Sequence, residues 1–352
     1  MRGASCVLLV ASICLPVAAA DKPKHAPTQV PVLELDGGRR KLVYEGEFRT
    51  ERDAAPRHSF WKKLLDVVAG EPDFHALIEP YSVVVDSRDR VIVSDPGAHG
   101  VHIFDFAKGK YKFLSRLEGK DALKWPQCVA VDQQDSIYVT DSETGKIFVF
   151  DADGKYKRAI GSLPGGEGYF KRPTGIAVDS AAQRIYVSDT LRDKIFVLDM
   201  QGQVLQEIGK HGSSAGEFYY PTELRLDGER LLVVDAMNFR VQWFKRDGSA
   251  DGVIGKLGDT PGQMFRPKGV AVDSEGHIYV ADGSFGMVQV FDRDGQLLYY
   301  FGERGSGPFQ FQLPSGLFIT HDDRVFVVDS YNRRIEVFRY FGLQNKDKGA
   351  GR

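Results

Sequence analysis

Residues 173–199 read PTGIAVDSAAQRIYVSDTLRDKIFVLD. Three short runs rich in Val, Ile, Tyr and Phe alternate with segments of Asp, Ser, Ala and Arg, the composition of consecutive β-strands joined by turns. Two landmarks in this stretch, Pro173 and Asp189, recur along the chain. The prolines are Pro80, Pro126, Pro173, Pro221, Pro267 and Pro314, at spacings of 46, 47, 48, 46 and 47 residues. The aspartates that close the second run are Asp95, Asp141, Asp189, Asp235, Asp282 and Asp329, spaced 46, 48, 46, 47 and 47. A third run follows each aspartate, as in IFVFD at 147–151 and VQVFD at 288–292. A fourth ends near Gly161, Gly209, Gly255 or Gly302, often after a turn such as DADG (151–154) or DRDG (292–295).

Four strands in each of six units predict an all-β fold, a six-bladed β-propeller of four-stranded antiparallel blades. The runs are almost continuously apolar, so both faces of each sheet should be buried against neighbouring blades. The sixth unit supplies only three strands, the last fading by Phe341. Its missing outer strand is expected at residues 41–48 (KLVYEGEF), near the N-terminus. One blade would then be stitched from both chain ends, which removes an otherwise exposed sheet edge. The alternative is a strand that merely decorates the side.

The pattern P-x-G-[IV]-A-V-D, then I-Y-V-[AS]-D, then N-x-R-[IV]-x-V-F resembles the NHL repeat. The first two parts are clearest in units three and five. The third is clearest in unit six, through Asn332, Arg334 and Ile335. The resemblance covers residues 79–342. No Trp-Asp dipeptide or paired glycine marks each unit in the manner of WD40 or kelch repeats. The family it implies includes scaffolds, sensor ectodomains, RNA-binding modules and an amidating lyase, so the resemblance leaves the chemistry open.

The N-terminus has the form of a secretory signal over residues 1–20. Arg2 is its charged start, Val7 to Val17 its apolar run, and Ala18 to Ala20 a small-residue cleavage site. That run is too short to span a bilayer, so no membrane span is expected and the protein should be periplasmic or secreted. Cys6 and Cys14 fall inside the leader and only Cys128 lies beyond it, so packing and ring closure must hold the fold. Residues 21–78 form an extension containing the closing strand. Trp61, Leu64, Leu65 and Val68 in it have the spacing of one short helix, expected to pack on the rim. Residues 343–352 read as a disordered tail. The net charge of −2 falls by one when Arg2 is removed, which argues against nucleic acid as a partner.

Six aspartates on one face could form a ring holding structural Ca²⁺, which takes oxygen ligands. The competing reading has each aspartate capping its own loop, and a feature shared by every repeat usually serves the repeat. No histidine recurs in three equivalent positions, no nucleophile elbow or phosphate loop is present, and Cys128 reads as a small buried residue. No catalytic residue and no cofactor is therefore nominated.

The sharpest departure from the repeat is in unit four. Glu223 and Arg225 stand where other units carry Gly175 with Ala177 or Gly269 with Ala271. Two apart on the innermost strand, they should share a face beside the central channel, as an ion pair bracing blades or as a ligand contact. The loops entering the first strands add Trp125, Arg172, Tyr219, Tyr220, Arg266 and, just inside, Lys268. Aromatic and Arg side chains mixed in this way suit an interface. Phe170, Phe218, Phe265 and Phe311 are expected to be core residues of the repeat.

The leading expectation is a monomeric binding or scaffold module that recognises a protein, peptide or glycan through this loop face. The alternative is a metal-dependent (Zn or Ca) lyase or lactonase with its site at the channel mouth near Glu223.

Overall fold

The computed structural model describes residues 30–54, 75–117 and 122–343. The expected leader, the expected helix around Trp61 to Val68 and all but the first residue of the expected tail lie outside them.

Six antiparallel sheets form a closed ring. Their innermost strands are Ser82–Val85, Pro126–Val131, Pro173–Asp179, Pro221–Asp227, Pro267–Val272 and Pro314–Ile319. Each packs against the next in chain order, and the sixth packs against the first. Blades one to five are four-stranded meanders. The sixth has the order expected for closure. Its strands Pro314–Ile319, Arg324–Asp329 and Arg334–Phe341 are followed by Arg40–Phe48, which pairs antiparallel with Arg334–Phe341 from Lys41↔Phe341 to Phe48↔Ile335. A fifth strand, Val32–Leu35, adds to the outside of that blade.

The core lies between blades, as near-continuous apolar strands require. Each of six buried clusters joins two consecutive blades. One holds Val83, Val85 and Phe104 of blade one against Phe326, Val328 and Ile335 of blade six, with Phe48 of the closing strand. Blades five and six share Tyr279, Val288 and Phe301 with Leu317, Phe338 and Leu42.

The small residues of the repeat have a direct physical reason. A Cβ on Gly175 would lie 2.1 Å from the Thr222 carbonyl of the next blade, and one on Gly269 would lie 2.1 Å from that of Ser315. Both contacts are backbone, so glycine is what lets adjacent inner strands approach this closely. The hydroxyl one residue before the aspartate adds a bond between blades. Ser94 Oγ donates to the Gln127 carbonyl at 2.7 Å, Thr140 Oγ1 to Thr174 at 2.6 Å, and Ser188 Oγ to Thr222 at 2.6 Å.

Candidate functional site

The six aspartates have no solvent exposure, and their carboxylates accept from the loop that enters their own blade. Asp141 Oδ2 accepts the N–H of Lys124 at 2.7 Å and of Trp125 at 3.0 Å. Asp189 accepts from Lys171 and Arg172, Asp282 from Phe265 and Arg266, Asp235 from Tyr219, Asp329 from Gln312 and Asp95 from Ile78 and Glu79. This geometry supports the loop-capping reading of the repeated carboxylates. It also ties the aspartates to the surface. The backbone they fix is that of Trp125, Arg172, Tyr219 and Arg266, four of the residues nominated for ligand contact. Asp292 behaves likewise in its hairpin, accepting the N–H groups of Asp294 and Gln296.

The side chains on these fixed loops remain open to solvent to different degrees. Arg172, Tyr219 and Arg266 are exposed, while Trp125 and Tyr220 are half-buried. Tyr220 has φ +60°, a left-handed conformation uncommon for an aromatic residue, and its N–H is held by Asp193 Oδ1 at 2.8 Å. Tyr219 lies edge-on between Tyr220 and His211, at ring separations of 5.4 and 5.1 Å. Met237 of blade four and Tyr331 of blade six are exposed on the loops after their second strands.

Phe265 departs from expectation. It is 53% exposed, and the core position is filled by Met264, which is 0% exposed. The reason is register. Phe170, Phe218 and Phe311 each stand three residues before the repeat proline and are buried, whereas Phe265 stands two before Pro267. Phe265 joins Phe239 and Phe285 in an aromatic group on the loop face, with ring centroids 6.2 and 6.4 Å away. Met264→Ala should therefore cost about 2–3 kcal/mol through a buried cavity. Phe265→Ala should leave stability within about 0.5 kcal/mol. Denaturant midpoints of the two variants check this order.

Glu223 and Arg225 meet at the channel, but they reach in different directions. The Glu223 carboxylate is buried and accepts from the Cys128 thiol of blade two, Sγ to Oε2 3.2 Å. Arg225 Nη2 donates to the Leu317 carbonyl of blade six at 2.7 Å, and Nε to that of Val270 in blade five at 3.3 Å. Its guanidinium lies 5.0 Å from the Phe318 ring centroid and 3.8 Å from Glu223 Oε1. Together the two side chains connect blade four to blades two, five and six. Below them a cavity of about 120 Å³ is lined by apolar inner-strand residues including Val84, Ala130, Ala177 and Leu226, with Arg225 its charged member.

Burial pushes the Glu223 carboxyl upward, while Arg225 and Cys128 oppose the rise. Burial and then Glu223 hold the Cys128 thiol well above its ordinary range, so it is protonated and a poor nucleophile. Tyr81, one residue after the repeat proline of blade one and just ahead of its inner strand, is raised by burial and next by Cys128 and Glu223. Lys268 occupies the same position in blade five, its Nζ 5.5 Å from the Tyr81 ring centroid. Burial and Arg266 bring its ammonium down to about 8, against the pull of Glu79. Tyr81 and Gln127 were missed as channel residues. Their signal was position, since both align with Lys268 one residue after the repeat proline.

The described histidines are dispersed. His102 Nδ1 lies 2.8 Å from the Tyr111 hydroxyl, His277 Nδ1 2.8 Å from Asp273 Oδ2, and His211 Nδ1 2.9 Å from Asp193 Oδ2. Among the described residues, no group of three or more His, Cys, Asp or Glu is placed to hold a metal ion. His25 and His58 lie outside them. No described helix is long and apolar enough to cross a membrane.

Ring and repeat define the class: the chain is a six-bladed β-propeller with NHL repeats. The family described as 6-bladed beta-propeller matches residues 116–187 and 177–249, and the NHL repeat matches residues 266–291. Protein brain tumor of Drosophila melanogaster is 31% identical over 106 residues, 29% of this chain and 10% of that protein. The chain thus spans about a tenth of the length of the curated relative it matches.

Among solved structures, a gluconolactonase from Xanthomonas campestris has a TM-score of 0.58 at 18% identity, covering 86% of this chain and 90% of its own. Streptogramin B lyase has a TM-score of 0.55 at 15% identity, with 75% and 94% covered. An auxiliary nutrient binding protein from Bacteroides thetaiotaomicron has a TM-score of 0.59 at 12% identity, with 75% and 69% covered. Identities this low establish likeness of fold.

Proposed function

We propose that the protein is an exported recognition module, periplasmic or secreted, that binds a protein, peptide or glycan through its aspartate-side loops. One observation carries the reading. Buried carboxylates fix the backbone of these loops while Arg172, Tyr219, Phe265 and Arg266 point exposed side chains outward. A rigid scaffold with exposed aromatic and guanidinium anchors is the arrangement of a binding surface. A photo-crosslinking residue at position 172 or 220 should capture a partner, and one at Glu229, in the turn after the blade-four inner strand, should not. Equal capture from both faces would overturn the reading.

The second reading is a metal-dependent lyase or lactonase with its site at the channel mouth. Its support is the fold shared with a gluconolactonase and a lyase, together with buried Glu223 in the channel. Elemental analysis of the purified protein separates the two. Stoichiometric zinc or calcium, with lactone turnover lost on chelation, favours the enzyme.

A further inference from the structure

Many cations of the molecule pair with a carboxylate, though among the described residues others, such as Lys155 and Arg304, do not. Arg90 pairs with Asp86, Arg192 with Asp189, Arg240 with Asp235 and Arg339 with Glu45 and Asp322. Among the described residues, Arg172, Arg266 and Lys268 have no carboxylate oxygen within 4.0 Å. They are not the surplus of a basic protein, since the chain is slightly acidic.

Position brings the three together. Arg266 and Lys268 flank Pro267 at the head of the blade-five inner strand, and Arg266 bears directly on the Lys268 ammonium. Arg172 holds the equivalent of Arg266 in blade three, and its charge reaches the Tyr81 phenol. The Tyr81 ring lies against Lys268 Nζ at 5.5 Å. Beside it, Trp125 Nε1 donates to Gln127 Oε1 at 3.1 Å.

Lys268 is not required by the repeat, for the equivalent residues are Tyr81, Gln127, Thr174, Thr222 and Ser315. A largely desolvated ammonium whose near neighbour is an aromatic ring gains from an anion brought to it. It remains mostly protonated at neutral pH.

We propose that the aspartate-side mouth of the channel binds a carboxylate carried by an acidic peptide segment of the partner, with Lys268 as its ion partner and Arg172 and Arg266 flanking it. The inference rests on the loop face being the recognition surface. A compact carboxylate suits a recessed lysine.

The test uses the full chain and a short labelled peptide of alternating Glu and Gly, its Gln counterpart, glutarate, inorganic phosphate and a single-stranded RNA oligonucleotide. The Glu peptide should bind at least about ten-fold more tightly than the Gln peptide, and Lys268→Met should weaken it by at least about ten-fold. Lys155→Gln, in the hairpin between the third and fourth strands of blade two on the opposite face, should change affinity less than about two-fold. Lys268→Met removes a desolvated charge, so its thermal midpoint should not fall, and that measurement shows the variant is folded.

Equal affinity for the Glu and Gln peptides, or no binding of either, overturns the proposal. So does glutarate or phosphate binding as tightly as the Glu peptide, or RNA binding more tightly with the same dependence on Lys268. If crosslinking from position 172 still captures a partner and Lys268→Met leaves that capture unchanged, the loop-face reading stands and the carboxylate inference falls. If capture fails from that face altogether, the parent reading falls.

Discussion

Arg334→Ala lowers the unfolding free energy by about 3–5 kcal/mol, because it leaves buried carboxylates without their cation. Arg334 is 1% exposed. Its Nε lies 2.8 Å from Asp329 Oδ2, its Nη2 2.5 Å from Glu336 Oε1, and its Nη1 contacts Glu47 of the closing strand. The same guanidinium donates to the carbonyls of Ser306, Gly307 and Gln310, tying down the loop that enters blade six. One side chain on the third strand thus joins the second strand, the entering loop and the N-terminal strand that closes the ring. Arg240 is the control. It makes the equivalent bonds to Asp235, Ser213, Ser214 and Glu217, but among the described residues Asp235 is its one carboxylate partner, whereas Arg334 also contacts Glu47 of the closing strand. Arg240→Ala should therefore cost less. Denaturant midpoints followed by tryptophan fluorescence compare the two, and equal losses would contradict the argument.

The sign of the pH dependence follows from the same cluster. Three carboxylates face one guanidinium, and burial, foremost, lifts the Glu336 carboxyl to about 8 while Arg334 opposes the rise. An acid whose folded pKa is raised favours the protonated folded state. Its effect on stability is harmless below its ordinary range and increasingly unfavourable from about 4.5 up to about 8. Glu336→Gln should flatten the decline of the unfolding midpoint across that window. A decline as steep in the variant as in the parent would show that Glu336 is already ionised.

How far the sequence could be read depends on the range of the contact. The proline and aspartate periods report local strand and turn chemistry repeated six times, so ring, blade order and the closing strand at 41–48 were all legible. Gly175 and Gly269 were visible as small residues, and the structure supplies the reason in the 2.1 Å approach of the next backbone. Phe265 was misread although its offset is legible: it stands two residues before its proline where Phe170, Phe218 and Phe311 stand three. The partners of Arg334 were beyond reach. Asn332 and Arg334 were recognisable as repeat residues, but Glu47 lies far away in sequence and joins them only when the ring closes. Cys128 meets Glu223 by the same kind of closure, across a channel rather than between neighbours.

Arg225→Ala should cost about 3–5 kcal/mol, since it leaves Glu223 buried without its cation and removes the donors to the Val270 and Leu317 carbonyls. The loss should be smaller at pH 5 than at pH 8. Burial already raises the Glu223 carboxyl, and without Arg225 it rises further, so the variant's folded state holds a proton that must be given up as pH increases. Glu223→Gln combined with Arg225→Met leaves no buried charge and should be less destabilising than Arg225→Ala alone. A double-mutant cycle reads that coupling. The double variant also separates the two roles of the pair. A brace between blades can be replaced by neutral side chains of similar volume without disturbing the loops above, so binding at the mouth should persist. A ligand contact cannot be replaced in this way, and the folded double variant would then lose its ligand. Full stability in Arg225→Ala would remove the brace, and the pair would stand as part of the recognition site alone.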